Sequence, residues 1–227
     1  AMREAVNIIA STEPDSEGFL RLKGKRVTSG DVRRVIGQVL LEHNCVGKET
    51  IVAGGSQAVD PHDRGEGPLR AREAIVLDSF PQQLDNGYWG DLSRTVIKGQ
   101  ASPVLKEMYM AVKAAQMAAL GKIRPGARCS SIHKAATYEF AARGFQTTVV
   151  EGEKEGFIHS TGHGIGLEVH EAPALGLTPS RLKAGNVVTV EPGLYYRTCG
   201  GIRIEDTIVV TPGGWRYLVP CEKRFEV

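Results

Sequence analysis

The sequence has few cysteines and no long apolar segment, and both shortages exclude classes of protein. None of the four cysteines lies in a Cys-x-x-Cys spacing, which argues against a zinc knuckle or a redox-active pair. We expect them to be free thiols, as in most intracellular chains. They are Cys45, Cys129, Cys199 and Cys221. No apolar run approaches the roughly 18 residues of a membrane span, and the N-terminus lacks a signal-peptide pattern. We therefore expect a cytoplasmic protein that does not bind membranes.

The sequence also lacks an excess of charge of either sign. Its 28 basic and 26 acidic side chains give a formal net charge of +2. No basic run of the kind that nucleic-acid-binding proteins carry is present, so nucleic acid is not an expected partner. No short repeat, low-complexity tract or glycine-serine linker divides the 227 residues. We therefore expect a single domain over residues 1–227.

Three helices are predicted from apolar periodicity and end signals. The first, 29–43, begins at a capping-box signal at Thr28. The second begins at Ser102 and Pro103, an N-cap followed by a proline in the first turn, and extends to the break at 124–126. The third covers 130–143 and ends at a glycine.

Short segments rich in β-branched residues predict strands between and after these helices. The predicted strands are 50–53, 74–78, 94–98, 147–151, 187–191 and 202–210. Only a short connection with Pro81, Asn86 and Gly87 separates Asp78 from Asp91, and a connection of this length joins antiparallel strands. The chain is therefore predicted to be α+β and not a doubly wound parallel sheet.

Histidines and carboxylates are concentrated at a few places in the sequence. His159, His163 and His170 lie close together in a glycine-containing segment. Four carboxylates accompany them: Asp78, Asp91, Glu191 and Glu205. Because side chains alternate along a strand, Glu191 shares a face with Thr189, and Glu205 shares one with Arg203. Buried carboxylates are costly unless they are paired or bound to a cation, so several facing one cavity indicate a metal site.

The types of side chain in this set restrict the chemistry of the site. Two aspartates, two glutamates and one histidine supply hard oxygen ligands and one borderline nitrogen, enough for two divalent ions that share carboxylates. Mn²⁺, Co²⁺, Fe²⁺ and Zn²⁺ are all compatible with such ligands. Two ions about 3.5–4 Å apart can hold a bridging water, lower its pKa and deliver hydroxide to a carbonyl. The set therefore predicts hydrolytic chemistry.

Four sequence blocks carry a resemblance to a known superfamily. They are Asp78 with 87–95, 162–166 with 170–173, 191–195, and 203–206. In this order they resemble the motif blocks of the pita-bread metallopeptidases, and within that superfamily they are most similar to the Xaa-Pro peptidases, prolidase and aminopeptidase P. The resemblance extends over about residues 50–212. It implies an α+β pita-bread fold, in which helices flank a curved, mostly antiparallel sheet.

The resemblance implies a ligand for two metal ions at each of five positions. Asp91 and Glu205 would bridge the ions, whereas Asp78 and His163 would each bind one. Glu191 would be a ligand and also the proton shuttle, taking a proton from the attacking water and passing it to the leaving nitrogen.

The same resemblance implies roles in substrate binding and catalysis. His170 matches the position that stabilises the tetrahedral intermediate as a hydrogen-bond donor. His62 resembles the upstream histidine that contacts substrate or leaving group. His159 is assigned to substrate binding, and a histidine at this place is characteristic of the Xaa-Pro branch and absent from typical methionine aminopeptidases. Arg203 would hold a carboxylate or the substrate, and Tyr195 is placed with it in the substrate-binding set.

Two details qualify these assignments. The separation between Asp78 and Asp91 is longer than the common pattern of the superfamily, so a longer hairpin loop is expected between them. Asp85 is the alternative ligand, but it lies too close to Asp91 in the sequence to be favoured. His43 and His133 fall on predicted helices outside the motifs and are interpreted as structural.

The resemblance implies a metallopeptidase with two divalent ions per chain, Mn²⁺ being the expected metal and Co²⁺, Zn²⁺ or Fe²⁺ the alternatives. Its substrate would be a small peptide with proline in the second position, cleaved before the proline by a metal-bridging hydroxide, as in an Xaa-Pro aminopeptidase or dipeptidase. A methionine aminopeptidase, a creatinase-like hydrolase and a non-enzymatic protein-binding module stay open as alternatives. Xaa-Pro peptidases usually carry an N-terminal domain, which is expected to be absent here or removed. Members are often homodimers, so a homodimer is expected.

Overall fold

Four helices and fifteen short strands build the chain, and a computed structural model describes all 227 residues. The helices are α1 (Met2–Ala10), α2 (Ser29–Glu42), α3 (Pro103–Leu120) and α4 (Cys129–Ala142), with a 3-10 turn at Gly55–Val59. The first eight strands are β1 (Glu13–Pro14), β2 (Leu20–Leu22), β3 (Lys25–Arg26), β4 (Cys45–Val46), β5 (Ile51–Gly54), β6 (Ile75–Ser79), β7 (Gln82–Gln83) and β8 (Leu92–Val96). The others are β9 (Thr148–Val150), β10 (Glu153–Glu155), β11 (Val187–Val190), β12 (Gly193–Tyr196), β13 (Gly200–Arg203), β14 (Asp206–Thr211) and β15 (Gly214–Tyr217).

The first half of the chain packs two helices on a three-stranded antiparallel sheet. The sheet has the order β5-β6-β8, and Asp78 of β6 lies opposite Ser93 of β8. Helices α1 and α2 contribute Ile9 and Ile36 to a core that also contains Leu77 of β6. This packing leaves the ends of β6 and β8 directed toward the second half.

The second half repeats the arrangement with a larger core. Strands β11, β14 and β15 form an antiparallel sheet, and β12 pairs with β13. Helices α3 and α4 pack on these strands, burying Met108 and Ile132 together with Val188 and Ile208. Each half therefore has its own helix pair and its own apolar core, and polar side chains lie between the two halves.

Hydrogen bonds join the two halves along β8. The Thr95 hydroxyl accepts from the backbone N–H of Arg203 at 2.9 Å and donates to the carbonyl of the same residue at 2.9 Å. The backbone N–H of Glu205 donates to the carbonyl of Ser93 at 3.1 Å. Strand β8 therefore fixes the position of the chain segment that carries Arg203 and Glu205.

The structure confirms the predicted α+β architecture and the antiparallel pairing of the strands around Asp78 and Asp91. All three predicted helices are present, although α3 ends at Leu120 because Gly121 caps it before the proline-containing break. The Thr28 capping box is formed, with Asp31 as its partner. None of the helices combines the length and apolar character that crossing a membrane requires.

Two predictions of secondary structure were wrong. No element was predicted before residue 29, but α1 is a helix that buries Met2, Ala5 and Ile9 and begins without a side-chain cap. The predicted strand 202–210 is two strands, β13 and β14, interrupted at Glu205, whose N–H bonds across to β8. The interruption is what turns this carboxylate toward the other half.

Candidate active site

A cleft of about 930 Å³ opens between the two halves. Every predicted site residue except Tyr195 lines it: His62, Asp78, Asp91, His159, His163, His170, Glu191, Arg203 and Glu205. A cleft lined by so many titratable groups is unusual for a purely structural cavity and is typical of an active site.

The five predicted metal ligands come from both halves of the chain. Asp78 lies on β6, and Asp91 immediately precedes β8. Glu191 immediately follows β11, and Glu205 occupies the interruption between β13 and β14. His163 lies in the loop before β11. Strand ends thus position the four carboxylates, and a loop positions the histidine.

Two glycines allow the His163 loop to lie against its neighbours. A Cβ atom at Gly162 would come within 2.0 Å of the Thr189 carbonyl oxygen, and one at Gly164 within 2.5 Å of the Ala172 carbonyl oxygen. Only glycine permits such approaches of backbone to backbone. The loop is thereby tied to β11, with the backbone N–H of His163 donating to the Thr189 hydroxyl at 3.1 Å.

The tautomer of His163 directs a lone pair at the carboxylates. Its Nδ1–H donates to the Gly164 carbonyl at 3.0 Å, and burial lowers its pKa to about 4, so the ring is neutral near pH 7. The other nitrogen, Nε2, lies 3.3 Å from Glu191 Oε1 and 3.8 Å from Asp91 Oδ2. A neutral imidazole nitrogen cannot donate to these carboxylates, but it is the form that binds a metal.

Asp91 and Glu205 each present a buried oxygen without a partner. Asp91 Oδ1 and Glu205 Oε1 are shielded from solvent and accept no hydrogen bond. One ligand atom from each of Asp91, His163 and Glu205 lies within 4.8 Å of the others. Buried polar atoms are normally satisfied, so orphaned acceptors call for an ion. The residues therefore fit a divalent cation that accepts oxygen and imidazole ligands.

The carboxylates raise one another's proton affinity. Burial, reinforced by the negative charges around them, raises the pKa of both Asp91 and Glu205 well above the ordinary values. Burial likewise raises the pKa of Glu191 to about 7, with Arg203 opposing the shift. Cations within this cluster would reverse these shifts and keep the carboxylates ionised.

Asp78 is held by protein partners at both oxygens. Its Oδ2 accepts from Arg203 Nη2 at 2.8 Å, and its Oδ1 lies 2.7 Å from Ser93 Oγ. The same hydroxyl lies 2.8 Å from Glu205 Oε2 and accepts from Arg203 Nε at 3.0 Å. Asp78 thus lines the cleft outside the tight group of Asp91, His163 and Glu205.

The alternative ligand Asp85 lies away from the cleft. Its exposed carboxylate accepts from Asn44 Nδ2 at 2.6 Å and from Gln83 Nε2 at 2.9 Å, in the turn after β7. These partners lower its pKa. The position of Asp85 leaves Asp78 as the aspartate on β6 that reaches the site.

Arg203, Tyr195 and His159 form a chain of hydrogen bonds behind the cleft wall. Arg203 Nη1 donates to the Tyr195 hydroxyl at 3.0 Å, and that oxygen lies 2.9 Å from His159 Nε2. His159 Nδ1 donates to the carbonyl of Ser160 at 2.7 Å. Burial lowers the pKa of His159 to about 3 and raises that of Tyr195 to about 12. The tyrosine is thus the donor to the neutral His159.

Tyr195 occupies a different position from the other predicted substrate-binding residues. Its side chain is fully buried and its hydroxyl is bonded on two sides. It lies behind the cleft surface and holds the two residues, His159 and Arg203, that line it.

The other predicted histidines occupy the rim or lie outside the cleft. His62 is exposed at the rim, and the exposed His170 packs edge-on to His163 with ring centroids 4.3 Å apart. His43 caps α2 through a contact of its Nδ1 with the Val39 carbonyl at 2.9 Å. His133, on α4, lies 2.9 Å from the Thr161 hydroxyl.

Two hydroxyl residues of the site were not predicted as site residues. Ser93 joins Asp78, Glu205 and Arg203, and the Thr189 hydroxyl donates to Glu191 Oε1 at 3.2 Å. Each lies two positions from a predicted ligand, Ser93 after Asp91 and Thr189 before Glu191. Strand alternation was the available signal, because it places such pairs on one face.

Comparison with known proteins finds consistent relatives. A profile of the metallopeptidase family M24 matches residues 1–212. The Xaa-Pro dipeptidase of Pyrococcus horikoshii is 32% identical, with the alignment covering 88% of this chain and 56% of that protein. The Xaa-Pro dipeptidase of Pyrococcus furiosus is 29% identical over 97% of this chain and 63% of its own length. An uncharacterized peptidase of Bacillus subtilis, YqhT, is 39% identical over 77% of this chain and 47% of its own length.

Solved structures show the same fold. The X-Pro aminopeptidase of Thermotoga maritima superposes with a TM-score of 0.82 at 28% identity, covering all of this chain and 59% of that one. The prolidase of Pyrococcus horikoshii gives a TM-score of 0.79 at 30% identity, covering 88% of this chain and 56% of that one. The pita-bread fold is thereby confirmed. The chain spans between 47% and 63% of the length of the curated relatives described above. On the match over residues 1–212, the chain belongs to the metallopeptidase family M24.

Proposed function

We propose that this chain is the catalytic domain of a metal-dependent exopeptidase that hydrolyses the bond between an N-terminal residue and proline. The observation that carries the proposal is the meeting of a neutral His163 with the orphaned oxygens of Asp91 and Glu205 in one cleft. The names of the relatives, Xaa-Pro dipeptidase and X-Pro aminopeptidase, support the substrate class.

The proposed metal content is two divalent ions, with Mn²⁺ as the expected metal. Asp91 and Glu205 would be shared between the ions, His163 and Asp78 would each bind one, and Glu191 would complete the set. Such ions, when bound, supply Lewis acidity that polarises a carbonyl and makes water acidic. Asp78 would serve while it keeps its hydrogen bond to Arg203, since a carboxylate has lone pairs for both.

Glu191 is the proposed proton carrier. Its carboxylate lines the cleft, with Oε1 3.3 Å from His163 Nε2, so it lies where it can accept a proton from water bound in the cleft. The Thr189 hydroxyl holds its Oε1, which keeps the carboxylate oriented toward the cleft. Glu191 would take one proton from the attacking water and transfer it to the proline nitrogen as the peptide bond breaks.

Residues of the cleft wall supply substrate contacts in this proposal. His170 and His62 are exposed at the cleft and can donate to a peptide carbonyl or contact the leaving group. His159 and Arg203 also line the cleft and are held in place by Tyr195. The apolar side chains of Ile51, Phe80 and Val169 also line the cleft, and they suit the ring of a proline.

A peptide panel tests the substrate class directly. Purified protein, stripped of metal and reloaded with Mn²⁺, is assayed on dipeptides and tripeptides with and without proline in the second position. We expect turnover of Xaa-Pro peptides and little cleavage of matched Xaa-Ala peptides. A preference for Met-Ala peptides would instead assign the chain to methionine aminopeptidase chemistry. Metal analysis of the same samples tests for two ions per chain.

A cytoplasmic location and a homodimer are further parts of the proposal. The four cysteines form no disulfide in the structure, which suits a reducing compartment. Light scattering of the purified protein measures whether it is a dimer.

A further inference from the structure

A buried arginine lies directly behind the cleft and uses every hydrogen-bond donor it has. Arg94, on β8, is 1% exposed. Its Nη1 donates to the backbone carbonyls of Ser93 at 2.8 Å and Glu205 at 2.6 Å, and its Nη2 donates to Asp206 Oδ1 at 2.6 Å. The two remaining bonds go to the carbonyls of Cys221, from Nη2 at 2.7 Å, and Glu222, from Nε at 3.0 Å. A guanidinium has five N–H donors, so all of them are satisfied.

The C-terminal segment, residues 220–227, completes this buried cluster. Lys223 Nζ binds the second oxygen of Asp206 at 2.7 Å, and Gln116 Nε2 donates to the same oxygen at 3.0 Å. The segment is fixed by backbone bonds to Ile97 and by the Phe225 ring, which stacks on Tyr109 at 4.1 Å. It lies beyond residues 1–212, the part that matches the family profile.

The cluster holds Glu205 from behind at several atoms. The Glu205 N–H donates to the Ser93 carbonyl, and the Glu205 carbonyl accepts from Arg94. In front, Glu205 Oε2 lies 2.8 Å from the Ser93 hydroxyl, while Oε1 has no partner. These bonds fix both peptide groups that flank Glu205, and the Ser93 hydroxyl holds Oε2. The free oxygen, Oε1, is thereby directed toward Asp91 and His163.

We propose that Arg94, Asp206 and Lys223 are positioning residues that fix Glu205 and Ser93 for metal binding, and that the C-terminal segment is thereby a working part of the site. The proposal depends on the proposed function only in requiring that the cleft bind a divalent metal. Removing groups that orient metal ligands typically weakens metal binding or activity about 10- to 100-fold.

A matched pair of lysine and arginine variants tests the proposal. Lys223→Met removes the cation on Asp206 Oδ2 and leaves Arg94 on Oδ1. Arg224→Met removes the neighbouring, exposed cation, which makes no side-chain ion pair. We expect Lys223→Met to raise the Kd for Mn²⁺ about 10-fold, measured by calorimetric titration of metal-free protein, and Arg224→Met to leave it unchanged. The visible spectrum of the Co²⁺-loaded protein, which reports ligand geometry, should change only in Lys223→Met.

Arg94→Lys provides a second test, because lysine keeps the charge but not the fork of donors. Circular dichroism and melting temperature establish that each variant is folded at the temperature of titration; if Arg94→Lys does not fold, Lys223→Met decides. An unchanged Kd and an unchanged Co²⁺ spectrum in folded Lys223→Met would overturn the proposal. A wild-type chain that binds Mn²⁺ but cleaves no Xaa-Pro peptide would remove the proposed function and leave this inference standing. A wild-type chain that binds no divalent ion would remove both.

Discussion

At the scale of single residues, the proposed proton carrier Glu191 gives the most direct test of the proposed mechanism. Glu191→Gln keeps the size of the side chain but cannot accept a proton, so we expect kcat on an Xaa-Pro peptide to fall about 10²- to 10⁴-fold. The melting temperature of the metal-free variant at pH 8 should not decrease. Burial raises the pKa of Glu191 to about 7, so the wild-type side chain is charged at a cost at this pH.

The matched control for Glu191→Gln is Glu171→Gln, which makes the same chemical change at an exposed residue of the same cleft. Its turnover should stay near that of the wild-type protein. Equal turnover of Glu191→Gln and the wild-type protein would be incompatible with a proton-carrying role.

His159 predicts a pH dependence of stability. Its pKa is about 3 in the folded protein and near 6.5 when unfolded, so the unfolded state binds the proton first as the pH falls. The stability due to neutral His159 is therefore complete above about pH 6.5 and is lost progressively down to about pH 3. Between pH 7.5 and 5.5 the expected loss is about 1.4 kcal/mol.

The measurement compares urea unfolding of metal-free wild-type protein and His159→Gln at these two pH values. The variant cannot titrate at this position, so its stability should fall less, by about 1.4 kcal/mol. The exposed His43→Gln serves as the control and should follow the wild-type protein. Parallel pH profiles for wild type and His159→Gln would contradict the assignment of a neutral, buried imidazole.

At the scale of secondary-structure elements, α1 makes a testable contribution to the first core. Ile9 is fully buried between α1, α2 and the sheet. Replacement by alanine leaves a cavity, so Ile9→Ala should lower the free energy of unfolding by about 2–5 kcal/mol. Asn7→Ala, on the exposed face of the same helix, should change it by less than about 0.5 kcal/mol. A loss below 1 kcal/mol for Ile9→Ala would show that α1 is not firmly packed.

The elements also show what the sequence could predict and what it could not. Helices α2 and α3 carry local end signals, the Thr28 capping box and the Ser102 cap with proline, and both begin where predicted. Helix α1 has no side-chain cap, and its buried face is short, so tertiary packing on α2 supplies what local signals lack. The interruption at Glu205 lies where the Glu205 N–H bonds to the Ser93 carbonyl of another strand, and β-branched periodicity does not reveal such a contact.

The candidate site residues were chosen from residue type and spacing, which say nothing about the contacts that orient them. The five proposed ligands line one cleft, as their types and spacing suggested. The partners that orient them are distant in sequence. Arg94 reaches the carbonyl of Glu205, and the hydroxyl of Ser93 lies between Asp78 and Glu205. Contacts of this kind depend on how the two halves pack, and no single segment encodes them.

At the scale of the whole molecule, the site joins the two halves. Asp78 and Asp91 belong to the first half, and His163, Glu191 and Glu205 to the second. A cation bound by both groups stabilises the folded state by mass action, by about 4 kcal/mol when the metal is a thousandfold above its Kd. Saturating Mn²⁺ should therefore raise the melting temperature, and a chelator should lower it.

Hydrogen exchange can locate this stabilisation. Metal removal should increase amide exchange in the β5-β6-β8 sheet and the β11-β14 pair together, because the proposed metal site takes ligands from both. Asp91→Asn provides the control, because its melting temperature should respond weakly to Mn²⁺. An unchanged melting temperature of the wild-type protein on addition of metal would contradict a site between the halves.

The position of Glu205 late in the chain has a consequence for how the protein is made. During synthesis the segment with both aspartates emerges before Glu205 and before residues 220–227, which hold it through Arg94. An incomplete chain therefore offers oxygen ligands but no assembled site. We therefore expect the proposed metal site to form only after residues 220–227 have been synthesised, and a chain cut before residue 220 to keep the candidate ligands but bind metal weakly.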